Sequence, residues 1–323
     1  MRDKKYFLFL HEILIGKTVH KNIEKKAELQ QKQIVLSFSI RDKMKDGTVF
    51  TTVESLQSRL NSSGISSEIA FVPTMGALHN GHLDLVRKAL ELTELVVVSI
   101  FVNPTQFNSQ TDLENYPRTL ENDLKLLESV GDVIVFAPTV EEMYPAEFKE
   151  IDIELNNLAT VMEGEFRPGH FKGVVNVVHR LFEIVSPKYA LFGEKDFQQL
   201  AVIQRMVDEL KLPIKIVPCE TVREVNGLAK SSRNQRLSET EKDEALIIIN
   251  SLNYANNNRK ELSPAALKEL VIEYFNQGEL ELEYLEIVDS KTLQPISVWN
   301  AKARMCIAAY CGDVRLIDNM EIN

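Results

Sequence analysis

Five short apolar runs alternate with helical stretches between residues 68 and 220, and this alternation constrains the fold more than any other feature. The runs are EIAFVP (68–73), LVVVSIFVN (95–103), VIVFAP (133–138), YALFG (189–193) and IKIVPCE (214–220). Between them, stretches such as DLENYPRTLENDLKLLESVG (112–131) repeat apolar residues at the spacing of a helix. Nearly continuous apolar strands that alternate with helices indicate a parallel sheet covered on both faces. The sequence therefore predicts an α/β fold whose ligands bind at the carboxyl ends of the strands.

The pattern changes after about residue 222. The predicted helices and strands there are ETEKDEALIIINSLNYANNN (239–258), SPAALKELVIEYFNQ (263–277), LEYLEIVD (282–289), ARMCIAAYCG (303–312) and VRLIDNMEI (314–322). Two helices with three short strands predict a smaller α+β domain. We expect residues 44–221 to form a Rossmann-like parallel-sheet domain and residues 222–323 to form the small C-terminal domain.

Residues 1–43 differ from the rest of the chain in charge. The chain has a formal net charge of −10, yet residues 1–43 carry ten Lys and Arg against five acidic residues. From Met44, the string MKDGTVFTTVESLQSRL predicts a short strand and then a helix. We expect residues 1–43 to be an extension outside the core fold, read from an upstream start codon. Mass spectrometry of the native N-terminus tests this expectation, and a chain that begins near Met1 would contradict it.

Charge, cysteine spacing and hydropathy argue against several classes of protein. The acidic body is a poor surface for nucleic acid, because affinity there comes largely from phosphate neutralisation. Cys219, Cys306 and Cys311 show no C-x-x-C spacing, which fits a reducing cytoplasm better than a disulfide framework or a zinc knuckle. No apolar run approaches the roughly 20 residues that a membrane span needs. We therefore expect a cytoplasmic protein without nucleic-acid or membrane partners.

The string TMGALHNGH follows the first apolar run and leads into a helix from about Gly81. Gly76 and Gly81 leave room for the backbone to approach a phosphate, and a helix start presents free N–H groups. His79 and His82 could hydrogen-bond or protonate phosphate oxygens. On local chemistry, two other interpretations stay open: a solvated loop histidine beside a helix-start histidine, and half of a metal site. The metal interpretation is weaker, because no third ligand has a suitable spacing.

Polar residues also follow two later apolar runs. In SIFVNPTQFN, Asn103 and Gln106 stand at a strand end beside Pro104, where they could orient a small ligand. An ordinary Asn-Pro turn would have the same sequence. In FGEKDFQQL, Lys195 supplies a movable cation, and Asp196 could cap a helix or bind a ribose hydroxyl. A capped helix with a surface Glu-Lys pair is the alternative.

Two more segments are ambiguous by themselves. In MEGEFRPGHFKGV, Glu163 and Arg167 are four residues apart and could form a plain ion pair, while His170 could be only structural. In TVREVNGLAKSSRNQRLS, two serine hydroxyls and Arg233 would suit a leaving pyrophosphate. A serine-rich hinge that caps a helix would have the same composition.

Taken in order, these strings resemble the motifs of the pantothenate synthetases (pantoate–β-alanine ligases), a family of the H-x-G-H nucleotidylyltransferase superfamily. PTMGALHNGH resembles the family's form of the H-x-G-H signature, and FGEKDFQQL is similar to its F-G-x-K-D-x-Q-Q string nearly letter for letter. NPTQF, the E-G-x-x-R-P-G-H-F-x-G-V element that closes over the site, and SSRN resemble further family motifs. The resemblance runs from about Met44 to the C-terminus. One departure is Lys230, where the family commonly has methionine, and this lysine would add a cation beside the phosphates.

The resemblance implies an ATP-dependent condensation of (R)-pantoate with β-alanine. The pantoate carboxylate attacks the α-phosphorus of ATP to give pantoyl adenylate and pyrophosphate. The amine of β-alanine then attacks the adenylate, and pantothenate and AMP are released. Mg²⁺ would bridge the ATP phosphates without an assigned protein ligand, the small domain would act as a lid, and the family implies a homodimer.

The resemblance also implies roles for individual residues. The catalytic residues would be His79, His82, Lys195, Ser231 and Arg233. The ATP-binding residues would be Met75, Gly76, Ala77, Leu78, His79, Asn80, Gly81, His82, Gly193, Glu194, Lys195, Asp196, Val222, Lys230, Ser231, Ser232 and Arg233. Pantoate and β-alanine would contact Asn103, Gln106 and Gln199, with Tyr116 near the pocket mouth.

Three other functions remain open on the sequence. Another nucleotidylyltransferase, acting on phosphopantetheine or a nicotinamide mononucleotide, would share H-x-G-H but would not need NPTQF together with FGEKDFQQL. An aminoacyl-tRNA synthetase would share the histidine motif and a Lys/Ser loop, but the acidic body argues against it. A nucleotide-binding regulator would bind ATP without releasing pyrophosphate.

Overall fold

Six strands form one sheet in the computed structural model, which describes residues 47–62, 68–299 and 302–322. They are β1 (Val49–Phe50), β2 (Ile69–Thr74), β3 (Leu95–Ile100), β4 (Ile134–Phe136), β5 (Tyr189–Gly193) and β6 (Lys215–Cys219), in the order β1-β4-β3-β2-β5-β6. β2 lies between β3 and β5 and pairs in parallel with both. β3 also pairs in parallel with β4, and β5 also pairs in parallel with β6. The predicted α/β fold with a parallel sheet is confirmed.

The chain divides into two units, Met1–Val49 and Phe50–Asn323. Apart from Val49 at the start of β1, the features described below belong to the second unit. The predicted extension, residues 1–43, lies outside the described residues. Within the described ranges, no helix combines the length and the apolar composition needed to cross a bilayer.

Helices connect the strands as the apolar periodicity predicts. The α-helices span Val53–Ser62, Asn80–Leu92, Gln110–Asn115, Leu120–Glu128, Val140–Met143, Glu163–Phe166, His170–Val185, Phe197–Glu209, Glu239–Glu244, Leu246–Asn258 and Pro264–Phe275. Short 3-10 helices span Pro104–Gln106, Asn156–Ala159, Glu194–Asp196, Ser232–Arg236 and Arg259–Glu261.

The helical stretch predicted over residues 112–131 is wrong in one respect, because two helices form there. The first ends at Asn115 and the second begins at Leu120. Pro117 lacks an N–H group and disfavours helical backbone in the preceding residue. Tyr116 accordingly adopts φ −65° and ψ 126°, which is extended. After this break, Tyr116 is buried and lines the crevice described below.

Helix His170–Val185 is central to the first hydrophobic core. Most of its residues are buried, and the ring centroid of Phe182 lies 6.3 Å from that of Phe71 in β2. At Gly173, a Cβ would come within 2.5 Å of the carbonyl oxygen of Thr105. Glycine is therefore needed for the helix to approach the turn after β3, and this close contact helps to fix the turn that carries the NPTQF string.

Three antiparallel strands form a second sheet. They are β7 (Glu281–Asp289), β8 (Ala303–Cys311) and β9 (Val314–Ile322), with β8 in the centre. Apolar residues of helices Leu246–Asn258 and Pro264–Phe275 share a buried core with these strands. The predicted small α+β C-terminal region is confirmed. The boundary predicted between residues 221 and 222 stays a prediction.

Candidate active site

The motif strings meet in one crevice beyond the carboxyl ends of β2, β3, β5 and β6. The crevice has a volume of about 1250 Å³, part of which is open to solvent. The predicted site residues that line it are Met75, His79, Gly81, His82, Asn103, Gln106, Gly193, Lys195, Asp196, Gln199, Val222, Lys230, Ser231, Ser232 and Arg233. Tyr116 also lines it. Parallel strands bring their carboxyl ends to one edge of a sheet, so motifs far apart in the sequence converge there.

A few predicted residues lie outside the lining and shape the loop and turn behind it. They are Gly76, Ala77, Leu78, Asn80 and Glu194. Gly76 and Ala77 have positive φ angles of 79° and 48°, which turn the chain between β2 and the following helix. A Cβ at Gly76 would lie 3.0 Å from Ile100 Cγ2 and 3.1 Å from Asp123 Oδ2. Both conformation and space therefore favour glycine at position 76.

Asp123 holds this loop, although it was not predicted as a site residue. Its carboxylate is fully buried and accepts hydrogen bonds from the N–H groups of Ala77 at 3.0 Å and Leu78 at 2.8 Å. The hydroxyl of Thr119 donates to it at 3.1 Å. Burial raises the pKa of Asp123, and these hydrogen bonds oppose the shift. One feature of the sequence could have indicated this role. Asp123 lies four residues before the buried Leu127 and so on the same face of the helix, and a buried carboxylate needs hydrogen-bond partners.

His79 and His82 lie together at the start of helix Asn80–Leu92. The carbonyl of His79 accepts a hydrogen bond from the N–H of His82 at 2.8 Å, and the ring centroids are 4.0 Å apart. The N–H of His79 donates to Nδ1 of His82 at 3.4 Å. Because Nδ1 accepts this bond, a neutral His82 carries its proton on Nε2. The Nε2–H group is thereby available as a donor.

Both histidines are neutral at neutral pH. Burial, followed by the charges of Lys195 and Lys230, lowers the pKa of His79 to about 4. Burial, followed by His79 and Lys195, lowers the pKa of His82 well below its ordinary range. The crevice therefore combines two neutral imidazoles with nearby lysines. The imidazoles can donate hydrogen bonds to anionic oxygens, while the lysines supply the positive charge.

Asn103 orients the side chain of Gln106. Asn103 is 1% exposed, and its Nδ2 donates to Gln106 Oε1 at 3.1 Å and to the carbonyl of Gly173 at 3.3 Å. Its Oδ1 accepts a hydrogen bond from the Tyr144 hydroxyl at 2.8 Å. The Nε2 of Gln106 lies 3.1 Å from the sulfur of Met75. Asn103 is thus enclosed by protein partners that fix the amide plane of Gln106.

The backbone carbonyl of Gln106 is held by two side chains of the segment 163–170. His170 Nδ1 donates to this carbonyl at 2.8 Å and Arg167 Nη2 donates at 3.3 Å. Arg167 Nη1 lies 3.2 Å from His170 Nε2. A guanidinium only donates and a carbonyl only accepts, so His170 is neutral with its proton on Nδ1. Burial, followed by the charge of Arg167, lowers the pKa of His170 to about 4.

The buried His170 predicts a pH dependence of stability. Its pKa falls from 6.5 to about 4 on folding, so between these values the unfolded chain binds a proton that the folded chain does not. The stabilisation is complete above pH 6.5 and is lost as the pH falls toward 4. His170→Asn keeps an N–H donor but cannot be protonated. Between pH 7 and pH 4, wild type should lose as much as about 3 kcal/mol more unfolding free energy than the variant.

Urea unfolding at several pH values measures this difference. Because wild type and His170→Asn share their other titratable groups, the difference between their curves isolates residue 170. Parallel curves for the two proteins would show that His170 does not titrate in this window.

Lys195 lies in the turn after β5 with a firmly held backbone. The carbonyls of Glu194 and Lys195 accept hydrogen bonds from Nδ2 of Asn319 in β9, at 3.0 and 2.9 Å. The side chain of Lys195 is 17% exposed, and its Nζ lies 3.7 Å from Oδ1 of Asp196. An ion pair at this distance is weak. Lys195 therefore offers a loosely paired ammonium group from a fixed position.

The SSRN segment docks on the histidine loop. The Ser232 hydroxyl donates to the carbonyl of Ala77 at 3.0 Å. Arg233 Nη2 donates to Oδ2 of Asp112 at 2.8 Å, and its guanidinium lies 5.8 Å from the Tyr116 ring centroid. Asp112 was not predicted as a site residue, yet it holds Arg233 at the wall of the crevice. The sequence offered no local signal for this pair, because Asp112 and Arg233 are 121 positions apart.

Lys230 lines the crevice at the end of a tight hairpin. Its N–H donates to the carbonyl of Val222 at 2.9 Å, and Gly227 turns the hairpin with a φ of 97°. The Nζ of Lys230 lies 2.8 Å from Oε2 of Glu224, whose side chain is 45% exposed. The extra cation is therefore beside the histidines, paired with a carboxylate that remains in contact with solvent.

Comparison with known proteins identifies the family. The sequence matches the family model of pantoate–β-alanine ligases over residues 48–321. A curated pantothenate synthetase from Bacteroides fragilis (strain YCH46) is 48% identical over 277 residues, covering 84% of this chain and 98% of the relative. A pantothenate synthetase from Phocaeicola vulgatus is 50% identical over 275 residues, covering 84% of this chain and 97% of the relative.

Solved structures agree with these relatives. A crystal structure of pantothenate synthetase from Thermus thermophilus matches with a TM-score of 0.80 at 43% identity, covering 85% of this chain and 99% of that one. A pantoate–β-alanine ligase from Francisella tularensis, complexed with beta-gamma ATP and β-alanine, matches with a TM-score of 0.69 at 35% identity. The match covers 85% of this chain and 97% of the Francisella chain. The family predicted from the motif strings is confirmed, and the chain belongs to the pantoate–β-alanine ligases.

Proposed function

We propose that this chain condenses pantoate with β-alanine in an ATP-dependent reaction that passes through pantoyl adenylate and releases AMP and pyrophosphate. The observation that carries the proposal is that residues of separate motif strings line one crevice. Family membership supports the reaction, and the ligands of the Francisella relative support ATP and β-alanine as two of its substrates.

In the first half-reaction, the pantoate carboxylate attacks the α-phosphorus of ATP, and pyrophosphate leaves. Such a transfer depends on positioning and on stabilising the negative charge that moves onto the leaving group. Lys195 and Arg233 supply positive charge, and Ser231 supplies a hydroxyl donor. The neutral His79 and His82 donate hydrogen bonds to phosphate oxygens. All five line the crevice before substrate arrives, so little reorganisation is needed during the reaction.

Each substrate has its own part of the crevice. The nucleotide lies along the histidine loop, where Met75, His79, Gly81 and His82 line the crevice, and along Gly193, Lys195, Asp196 and residues 230–233. Its nucleoside packs against Gly193, Asp196 and Val222. Pantoate is held by the amides of Gln106 and Gln199. Asn103 acts mainly by holding Gln106, as its buried hydrogen bonds indicate.

In the second half-reaction, the amine of β-alanine attacks the acyl carbon of the adenylate. A C–N bond forms as the C–O bond to AMP breaks, so no covalent enzyme intermediate is needed. Magnesium would bind the phosphates of ATP and neutralise part of their charge. Among the described residues, no group of three or more His, Cys, Asp and Glu side chains is arranged to hold a metal ion, and we assign it no protein ligand.

Pyrophosphate release tests the proposed reaction. The purified chain is mixed with ATP, Mg²⁺ and pantoate, with and without β-alanine, and the products are identified by mass spectrometry. We expect sustained pantoate-dependent release, with pantothenate and AMP formed only when β-alanine is present. Binding of ATP without any pantoate-dependent release would refute the proposed substrates, and it would favour a nucleotide-binding regulator.

Gln106→Ala should weaken pantoate binding selectively. The change removes a buried amide whose orientation its neighbours fix, and it leaves the hydrogen-bonding groups of pantoate unpaired. We expect the KM for pantoate to rise about tenfold to a hundredfold, with a smaller change in the KM for ATP. Steady-state kinetics with each substrate varied in turn measures both constants.

Gln110→Ala is the matched control for this variant. Gln110 is exposed and pairs with Glu114 at 2.8 Å on the helix after the NPTQF turn. It should leave every KM unchanged. An equal rise in the KM values for pantoate and ATP in Gln106→Ala would contradict its assignment to pantoate.

Three broader assignments also belong to the proposal. Residues 222–323 act as a lid domain on residues 44–221, and small-angle scattering with and without substrates tests this closure.

The protein is a cytoplasmic homodimer, and sedimentation equilibrium should return twice the mass of one chain. A monomeric mass at catalytic concentrations would refute the dimer.

A further inference from the structure

A buried carboxylate lies behind the pantoate side of the crevice. Glu163 is 7% exposed, does not line the crevice, and accepts two hydrogen bonds from Arg315, at 2.9 and 2.7 Å. The hydroxyl of Tyr284 donates to it at 2.8 Å. Arg315 belongs to β9 and Tyr284 to β7, so both donors come from the C-terminal sheet. A single carboxylate therefore ties this sheet to the segment 163–170.

Glu163 is ionised, and its backbone is held independently of these donors. Burial by itself raises its pKa, but the hydrogen bonds and charge of Arg315, followed by the charge of Arg167, hold the pKa at about 2. The N–H of Glu163 donates to Gln198 Oε1 at 3.0 Å, and a Cβ at Gly164 would come within 2.3 Å of the Ala159 backbone. A change of the side chain alone should therefore leave the local backbone in place.

From Glu163 the contacts continue to the pantoate pocket. Arg167 Nη1 donates to Glu163 Oε2 at 3.3 Å, and the same guanidinium donates to His170 and to the carbonyl of Gln106. His170 donates to that carbonyl at 2.8 Å. A continuous series of hydrogen bonds thus joins β7 and β9 to the residue that presents its amide to pantoate.

We propose that Glu163 is a positioning residue for pantoate binding: paired with Arg315 and Tyr284, it fixes Arg167 and His170 on the carbonyl of Gln106. The docking of the C-terminal sheet is thereby linked to the orientation of the Gln106 amide. This inference rests on the proposed function, since pantoate is the ligand whose binding it governs.

Strand β9, which carries Arg315, also contacts the nucleotide side of the crevice, through hydrogen bonds that do not involve Glu163. Asn319 of β9 donates to the carbonyls of Glu194 and Lys195. The route through Glu163 does not include these residues. Loss of the Glu163 charge should therefore affect pantoate more than ATP.

Glu163→Gln tests the positioning role. The variant keeps the shape of the side chain but removes the charge that pairs with Arg167 and Arg315. Loss of one member of such a contact network loosens the group it holds, so we expect the KM for pantoate to rise about tenfold while the KM for ATP changes less than about twofold. Thermal unfolding of the free protein is measured in parallel to separate binding from stability.

Glu283→Gln is the matched control, because Glu283, like Glu163, accepts a hydrogen bond from Arg315, at 2.9 Å. Glu283 belongs to β7, as Tyr284 does. Glu283 is not among the acceptors of Arg167. If Glu163 is only structural, both variants should lower the unfolding temperature and leave the KM for pantoate unchanged. That result would overturn the proposal, as would an equal rise in the KM values for pantoate and ATP.

Tyr284→Phe keeps the proposal testable if Glu163→Gln does not fold. It removes one hydrogen bond to Glu163 and should raise the KM for pantoate about twofold to threefold. An unchanged KM would count against the positioning role. Wild-type turnover is measured first: absence of pantoate-dependent turnover in wild type would refute the proposed function itself, whereas active wild type with unaffected variants would refute only the role of Glu163.

Discussion

Replacing Lys195 by methionine is expected to lower kcat by about 10²–10³, which corresponds to roughly 3–4 kcal/mol of transition-state stabilisation. Methionine keeps the length and apolar stem of the side chain but removes the ammonium group. Because this group is paired only weakly, with Asp196 at 3.7 Å, it is available to the negative charge that moves onto pyrophosphate. The loss should fall mainly on kcat, because the interaction strengthens in the transition state.

Single-turnover measurement of pyrophosphate release isolates this step from product release. Lys188→Met is the matched control: Lys188 precedes the same strand β5 at its opposite end, pairs with the exposed Glu68, and does not line the crevice. Its rate should equal that of wild type. If Lys195→Met retains near-normal release while its unfolding temperature is unchanged, Lys195 does not stabilise the leaving group.

His82→Ala is expected to reduce kcat/KM by about the same factor, 10²–10³, for a different physical reason. His82 is neutral, and its Nδ1 is occupied by the N–H of His79, so the variant removes a preorganised neutral donor rather than a charge. His82→Gln, which places an amide N–H near the position of Nε2–H, should recover part of the loss. A cationic role would instead predict no rescue by glutamine.

The pH dependence of activity also distinguishes a neutral-donor role of His82 from a cationic role. The pKa of His79 is about 4 and that of His82 is well below its ordinary range, so neither ring should produce a step in kcat/KM between pH 6 and pH 8. His179→Ala serves as the control, because His179 lies outside the crevice. Near-normal turnover in His82→Ala, or an acidic limb near pH 6.5 that disappears in it, would contradict the neutral-donor role.

The fold could be predicted from the sequence to the level of its strands and layers. Nearly continuous apolar runs predicted the buried parallel strands, since only a sheet covered on both faces needs them. Which strands are neighbours was beyond this pattern. The order β1-β4-β3-β2-β5-β6 depends on pairing between distant segments, such as β2 with β5 across more than a hundred residues. Apolar periodicity carries no information about such partners.

The candidate site shows the same division. His79, Lys195 and Gln106 stand in strings that could be recognised because strand ends, glycines and polar residues are local features. Asp123 and Asp112 were not predicted, since each accepts a hydrogen bond from a residue far away in the sequence. The donor is Ala77 for Asp123 and Arg233 for Asp112. Asp123 is buried on the same helix as Leu124 and Leu127, but helical spacing carries no information about which N–H groups satisfy its carboxylate.

The sequence by itself determined which chemical groups this protein has and at which strand ends they stand, because motif spacing and apolar periodicity are properties of neighbouring residues. Only the tertiary structure decided the protonation of the groups and their partners. Burial makes His79 and His82 neutral, and folding brings Arg315 to Glu163 from 152 positions away. The pKa of a side chain and the partner of a buried charge depend on what surrounds them in space, and that environment exists only in the folded chain.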